Sequence, residues 1–545
     1  MLKLSKIKSY LLLAGGVFCS ASVASQNATG WKDYHYVKQS HAWFDSENAS
    51  GLKELQVNDI SLAEIYYQKS NGKFVDYYQS NDSYRFGANI ESLYRLNPKI
   101  VLYGKINYDN FKGKNMSGSA FISPERNPFD IVEFTDTNKG KKTLENYHLI
   151  GAVSASLFEG LALGGKIDFL GANYAKDKDL RHKNMLTDIN VAAGLSYRFN
   201  KIIEAGVNYY YRRRVEGVTF NKYGSSDQQF LSLIDYGAFY GKGEVFGETG
   251  YTAKGVETPL FDKYHGASLQ LVINPLSNLS LFNELTYKTR DGYFGSESTY
   301  GVKYTTIIKY TEHSSDIIAY KGRIDWKQKN NSHILDFGLR NEELKNLESV
   351  YKVDKDPGKY TYRVTYFDPL EVGDKKFLDI SAVYTANLGV EDYNPTWIIK
   401  GGFDYNRRIQ KLSFFPFFRK QTIKQTSMHT SIARNIIKGD NMYTILLGVG
   451  YSSGNGVAKD DGSYITPGED QSMPRTIDTF LEREYEYLTA NQIKGDVGFK
   501  YSRLFPKVKM KGYAALNYSL TKAQDIKYLA GDSFNRINLT LGCTF

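Results

Sequence analysis

Cysteine is nearly absent, with 2 in 545 residues, Cys19 and Cys543. A disulfide-stapled scaffold is therefore excluded, even for an exported chain. Proline (12) and tryptophan (4) are also sparse. No segment approaches the ~18 consecutive apolar residues that a transmembrane helix needs, and mean hydropathy is −0.44, so a helical membrane protein is excluded. The histidines, at 35, 41, 148, 182, 265, 313, 333 and 429, show no metal-ligand spacing. What is abundant is tyrosine (44), glycine (48) and phenylalanine (31), in a chain that is 14% aromatic, 23% charged and 41% hydrophobic. That is too aromatic for disorder and lean for the several cores that length alone would suggest. A single large sheet with one apolar and one polar face reconciles the numbers.

The N-terminus reads as an address. Lys3, Lys6 and Lys8 form a basic region, 10–18 an apolar one, and 20–25 a run of small residues suited to cleavage after Ala24 or Ser25. Residues 1–25 are expected to be a secretory signal peptide. Phe18 stands before Cys19 where a lipobox wants a small residue, so lipidation is not the reading. The net charge of +10 fits an anionic membrane surface or anionic solutes. Nucleic acid is not an expected partner of an exported chain.

The rest alternates with period two. Ile537, Leu539, Leu541, Cys543 and Phe545 alternate with Asn538, Thr540, Gly542 and Thr544. The same pattern recurs in Val191–Phe199, Ile203–Tyr211 and Tyr443–Tyr451. These are strands with one apolar face and one small, polar or charged face. Such strands make either a sandwich, with apolar faces packed together, or a membrane barrel, with apolar faces on lipid and polar faces on the lumen. Strand lengths of about ten to fifteen residues and aromatics at strand ends (Phe199, Tyr209, Tyr211) favour the barrel. A terminal strand ending on Leu541, Cys543 and Phe545 resembles the C-terminal signal read by the outer-membrane assembly machinery. The fold class is thus all-β, a transmembrane antiparallel up-and-down barrel of about eighteen strands, with sixteen or fourteen as alternatives. Short turns, as at 96–99, 199–202 and 436–441, alternate with long connections at 113–142, 215–262, 291–315, 346–375 and 454–487. The expected organisation is a signal peptide at 1–25, a plug or periplasmic strap at 26–58, and the barrel at 59–545, with both termini periplasmic.

An eighteen-stranded barrel encloses room for an aqueous channel unless something fills it. Lys166, Asp168, Asp188, Arg198, Glu204 and Arg212 are the candidate lumen-lining residues, and the turn near Asn200 puts Asp188 and Arg212 within pairing reach. They read either as a self-neutralised wall or as a charged path for a solute. Lys176, Asp177, Asp179, Arg181 and His182 form a charged turn at a hairpin tip, read as solvated and external or as a contact site. Arg212, Arg213 and Arg214 are divided between lipopolysaccharide phosphates and the lumen. Segment 113–142 holds Phe121, Ile122, Phe129, Ile131, Val132 and Phe134, too apolar to stay in water, and is expected to fold inward. Residues 26–58 carry Trp31, Tyr34, Trp43 and Phe44, too aromatic for a free tail.

Enzyme signatures are poor. Gly160–Lys166 has phosphate-loop spacing, but Ile167 stands where Ser or Thr would hold magnesium. Glu312, His313 and Asp316 are the one acid-base grouping, without a nucleophile in a recognisable context. No catalytic residue, cofactor or metal is assigned.

Asn48-Ala-Ser-Gly-Leu52 resembles the N-terminal hatch of the long-chain fatty-acid channel family, which carries Asn-Pro-Ala there; proline is absent here. At Leu102–Tyr108, Asn127–Glu133, Leu163–Lys176 and Leu180–His182, the chain resembles a family of Bacteroidota outer-membrane barrels of unknown function. That resemblance implies a Gram-negative outer-membrane barrel and supplies no substrate. The expected function is a channel for uptake or diffusion of a small polar or charged solute, gated by the N-terminal segment or the 113–142 loop. The alternative is a non-transporting barrel acting as a partner, adhesion or assembly subunit. Expected partners are outer-membrane lipid and lipopolysaccharide, the barrel assembly machinery, and an outer-membrane lipoprotein or receptor.

Overall fold

A computed structural model describes residues 31–222, 229–248, 250–298, 306–355 and 362–545. The expected signal peptide at 1–25 lies outside the described residues. Among them the main sheet has eighteen strands, each antiparallel to its neighbours. In chain order these are Asp59–Gly72, Asp82–Asn97, Ile100–Met116, Gly140–Phe158, Leu161–Lys176, Arg181–Arg198, Ile203–Asn221, Glu257–Leu276, Leu279–Ser298, Thr306–Gln328, Asn331–Glu348, Leu370–Glu391, Asn394–Phe414, Phe417–Lys438, Asn441–Ser463, Gln492–Phe505, Met510–Ala523 and Ser533–Thr544. The first pairs with the last in a register from Leu62 opposite Thr544 to Gly72 opposite Phe534, and Ser61 exchanges both backbone hydrogen bonds with Phe545. The sheet is therefore a closed barrel.

The period-two pattern has the expected consequence. One cross-strand row runs Leu163, Leu195, Val207, Leu269, Leu285, Tyr320, Leu339, Ile380 over eight neighbouring strands. All eight side chains lie on the outer surface and are at least 36% exposed. A continuous apolar belt on a closed barrel is stable only against lipid, since in water it would leave a large patch unburied. The inner positions between them are small, polar or charged.

Several strands run further than the sequence implies. The expected connections at 291–315 and 454–487 give up residues to strands ending at Ser298 and Ser463 and starting at Thr306. Where strands rise beyond the lipid both faces meet water or protein, so the hydrophobic contrast that marks a strand in the sequence fades.

Both ends of the lumen are filled. At the short-turn end, residues 31–58 form a hatch inside the barrel, with a helix Tyr34–Gln39 and two 3₁₀ turns, Ala42–Asp45 and Ala49–Glu54. Asp33 caps the helix by accepting from the Tyr36 N–H at 3.0 Å. Trp43 is buried against Val272 and Phe282 of the wall. At the long-loop end, three connections meet in a lid. Strands Asp130–Glu133, Leu231–Asp235, Tyr240–Val245 and Arg475–Thr476 make a small antiparallel sheet, and the helix Asp478–Thr489 packs on it. Phe121, Phe129, Leu233, Ile234, Tyr236, Phe239, Phe480 and Leu481 are buried in its core, each contributing about 1.5–3 kcal/mol. The inward fold expected of 113–142 is present, joined by two partners from distant loops.

The hatch sits in a cradle of glycines. Gly164 and Gly194 face each other on adjacent strands, and Gly206 lies on the next. A Cβ on Gly164 would stand 1.9 Å from the Ser50 nitrogen, one on Gly194 2.4 Å from Asn48 Oδ1, and one on Gly206 2.6 Å from Trp43 Cη2. The hatch can approach only because these side chains are missing. Gly164→Val is expected to unseat the hatch while leaving the barrel folded. The check is protease cleavage within 31–58 on a barrel that keeps its heat-modifiable gel shift; a protected hatch would contradict the cradle.

Candidate functional site

The hatch is held by an apolar contact, in which Tyr34, Val37, Ala49, Leu52 and Leu55 are buried with Ile60, Leu62, Leu93, Val101 and Tyr513 of the wall, and by polar contacts. Asn48, fully buried, accepts at Oδ1 from the Ser50 N–H (3.1 Å) and hydroxyl (2.7 Å). Its Nδ2 donates to the Leu195 carbonyl (3.1 Å), the Val207 carbonyl (3.3 Å) and Gln270 Oε1 (3.0 Å). Around it lies a ring of ion pairs. Lys166 meets Glu47 at 2.9 Å, Lys53 meets Glu204 at 2.9 Å, Arg323 meets Asp45 at 2.8 Å, and Arg198 bridges Glu54 and Glu204. Three of the six candidate lumen-lining residues, Lys166, Arg198 and Glu204, thus serve the hatch. In this segment the sequence marked Asn48–Leu52 and the aromatics, but not the charged Asp45, Glu47, Lys53 and Glu54.

The other three face a cavity between hatch and lid. Asp188 pairs with Arg212 through two bonds of 2.8 and 2.5 Å, the pair expected from the turn near Asn200. Asp168 meets His148 Nε2 at 2.7 Å. The cavity is about 640 Å³, with Glu47 on the hatch side and Tyr210, Tyr264, Lys288 and Arg340 on its walls. It exists because the inner positions of neighbouring strands are small at this level: Ala319, Gly338 and Ser381 all line it. The sequence signal was available as small residues at inward positions, but register between strands is needed to see them coincide.

Above the cavity, Arg126 of the lid reaches the wall. Its guanidinium contacts Glu342 (3.2 Å) and Asp379 and lies 4.8 Å from the Phe377 ring centroid. Arg290 donates to the Arg126 carbonyl at 3.1 Å and to Asp262 at 2.6 Å. His313 Nε2 also meets Asp262, at 2.7 Å. Lys142 donates to the carbonyls of Ser117 (3.0 Å) and Ser119 (2.6 Å), and Arg419 to that of Ala238 (3.0 Å). Long cationic side chains of the wall thus satisfy carbonyls of the lid that would otherwise be buried without partners.

The remaining candidates divide. In the charged turn, Lys176 and His182 are buried, not solvated: Lys176 pairs with Glu133 of the lid at 2.5 Å, and His182 Nδ1 is 2.8 Å from Asn184 Oδ1. Asp177 accepts from the Lys141 N–H at 2.8 Å, and Asp179 pairs with Arg181 at 3.0 Å. The arginine triplet splits by strand alternation. Arg212 and Arg214 turn inward to Asp188 and Glu216, while Arg213 lies over Phe261. Glu312, His313 and Asp316 do not converge, because His313 points inward while Asp316 is exposed and accepts from Tyr287 at 2.7 Å. At the C-terminus, Leu541 is 46% exposed on the outer face and Cys543 is partly buried. Among the described residues no set of three His, Cys, Asp or Glu side chains is placed to hold a metal.

The chain belongs to the Family of unknown function (DUF6850), whose model matches residues 49–545. No curated protein matches it. Among solved structures it is similar to the ferric preacinetobactin receptor BauA from Acinetobacter baumannii, at 9% identity and TM-score 0.41, covering 89% of this chain and 79% of that one. It is similar also to the outer membrane transporter YddB from Escherichia coli (6%, 0.39, 90% and 81%) and to the toluene transporter TbuX from Ralstonia pickettii (10%, 0.29, 91% and 92%).

Four lid-region carboxyls have raised pKa values. Burial pushes Asp76 up to about 8, Asp130 and Glu133 to about 7, and Asp235 to about 6. Raised carboxyl values mean that the closed lid binds more protons than the open one, so the carboxyls' contribution to its stability is full below about pH 4 and is lost progressively as pH rises to about 6 to 8. Proteolysis within 117–139 and 229–248, normalised to an unstructured control, is expected to be faster near pH 8.5 than near 5.5, with the difference reduced in Asp130→Asn. Equal rates would contradict it.

Proposed function

We propose that the protein is an outer-membrane channel that passes a small polar or charged solute through the central chamber, gated at the periplasmic end by the hatch and at the external end by the lid. The observation that carries this reading is the chamber itself. A barrel that only needed a filled interior would pack its middle as it packs its ends, whereas here an unfilled, charge-lined space remains between two separate inserts. The two closures differ in kind. The lid rests on a buried aromatic core of its own, and the hatch on an apolar contact with the wall together with hydrogen bonds and ion pairs.

The turn at Asn48 resembles the fatty-acid channel hatch, yet a chamber walled by Asp168, Asp188, Arg212, Lys288 and Arg340 would desolvate charges against an apolar chain. This favours a polar cargo. In this reading the barrel lies in the outer membrane with both termini periplasmic, lipopolysaccharide surrounds the lid end, and the assembly machinery engages the last strand. An outer-membrane lipoprotein or receptor would act on one of the gates.

Planar-bilayer recording tests the proposal. The full chain is expected to be closed, and a chain lacking 31–58 and carrying Arg126→Ala is expected to conduct in discrete steps. A folded double variant as silent as the parent would count against a channel and for the non-transporting alternative, a partner, adhesion or assembly subunit.

A further inference from the structure

We infer that the central chamber is a binding site for a small hydroxylated organic anion bearing a carboxylate or a phosphate, held between Lys288 and Lys321. The inference rests on the channel reading for its biological use, but not for its chemistry. Every carboxylate lining the chamber already has a cation: Glu47 has Lys166, Asp168 has His148, Asp188 has Arg212, and Asp379 has Arg126. Two lining cations have no such partner. Lys288 makes no ion pair with a described residue and stands 4.5 Å from the Tyr210 ring centroid. Lys321 donates only to the Asp45 carbonyl, at 3.1 Å. Among the lining side chains four carboxylates face four Lys and Arg cations, so the walls are neutral with neutral His148 and carry one net positive charge when it is protonated.

Strand register places these cations on either side of one cross-strand row. Thr286, Ala319, Arg340 and Asp379 form one cross-strand row. Lys288 lies one inward position above that row and Lys321 one below, each about 7 Å along its strand. Arg340 between them uses one nitrogen on Glu342, at 2.7 Å, and leaves its buried Nε without a partner. The buried Tyr210 hydroxyl has none either, and on the strand beside it Asn190 Oδ1 is an unpartnered acceptor. Buried donors without partners are costly unless a ligand or water completes them. Two ammonium groups, a guanidinium N–H and a phenol suit oxyanion oxygens, and the lone acceptor suits a hydroxyl. The volume of about 640 Å³ is that of a small-molecule site.

The test is equilibrium dialysis of the full chain, refolded into detergent in the presence of each probe: glucuronate for the carboxylate class, glucose 6-phosphate for the phosphate class, and glucose as the neutral control. At least one anion is expected to bind near one per barrel and glucose not to bind. Lys288→Met with Lys321→Met is expected to weaken the anion at least about tenfold. Lys321→Met alone, which loses only one carbonyl contact, is the fallback if the double variant lacks the gel shift of a folded barrel. Which anion binds separates the two classes. Absence of binding by both anions, equal binding of glucose, or unchanged affinity in the variants would overturn the assignment. Anion binding by a barrel that never conducts would leave the site standing and remove the channel.

Discussion

The constraint on which everything else depends is the pairing of backbone polar groups inside a bilayer. A sheet in lipid cannot leave an open edge, and here the first and last strands close it in a register that runs from Leu62 opposite Thr544 to Gly72 opposite Phe534. Closure with eighteen strands fixes a circumference, and the circumference fixes a lumen too wide to be filled by its own wall side chains. The interior must then hold either water or inserted chain. This protein uses both, with chain at the two ends and an unfilled polar chamber between them.

The two inserts solve the same packing problem by different physics. The lid assembles from three loops far apart in sequence, so it needs a core of its own, and Phe121, Phe129, Tyr236, Phe239 and Phe480 provide it. Wall cations such as Lys142 and Arg419 then satisfy the carbonyls this core buries. The hatch is too short to form a core of its own. Tyr34, Val37, Ala49, Leu52 and Leu55 instead share one with Ile60, Leu62, Leu93, Val101 and Tyr513 of the wall, three glycines remove the side chains in its way, and Asn48 saturates the polar groups at the point of closest approach. Such a contact is specific in shape and combines shared apolar burial with hydrogen bonds.

Much of the barrel was legible in the sequence because a membrane strand writes its two faces into alternate residues. The number of strands, their closure and the pairing of Asp188 with Arg212 follow from alternation and turn position, and the inward turn of Phe121 and Phe129 from the apolar content of their loop. What was not legible depends on distance in sequence. Lys176 and His182 look like solvated charge until Glu133 and Asn184 are beside them. The three arginines at 212–214 look like one cluster until alternation sends Arg213 outward. The lid sheet joins residues near 130, 234, 242 and 475, which share no local pattern. The chamber depends on Gly338 and Ser381 falling in one cross-strand row and Ala319 in the next, and small residues announce nothing until register is known.

The central claim is that a solute-accessible chamber lies behind two separate closures. Its most direct test is thiol accessibility at one chamber position, Ser381→Cys, on a chain whose native cysteines are replaced by serine. A small membrane-impermeant maleimide should label the introduced thiol slowly in the otherwise intact barrel and rapidly once residues 31–58 are removed. Equal labelling with and without the hatch would contradict the account, because the chamber would then be either permanently open or never reached from that end.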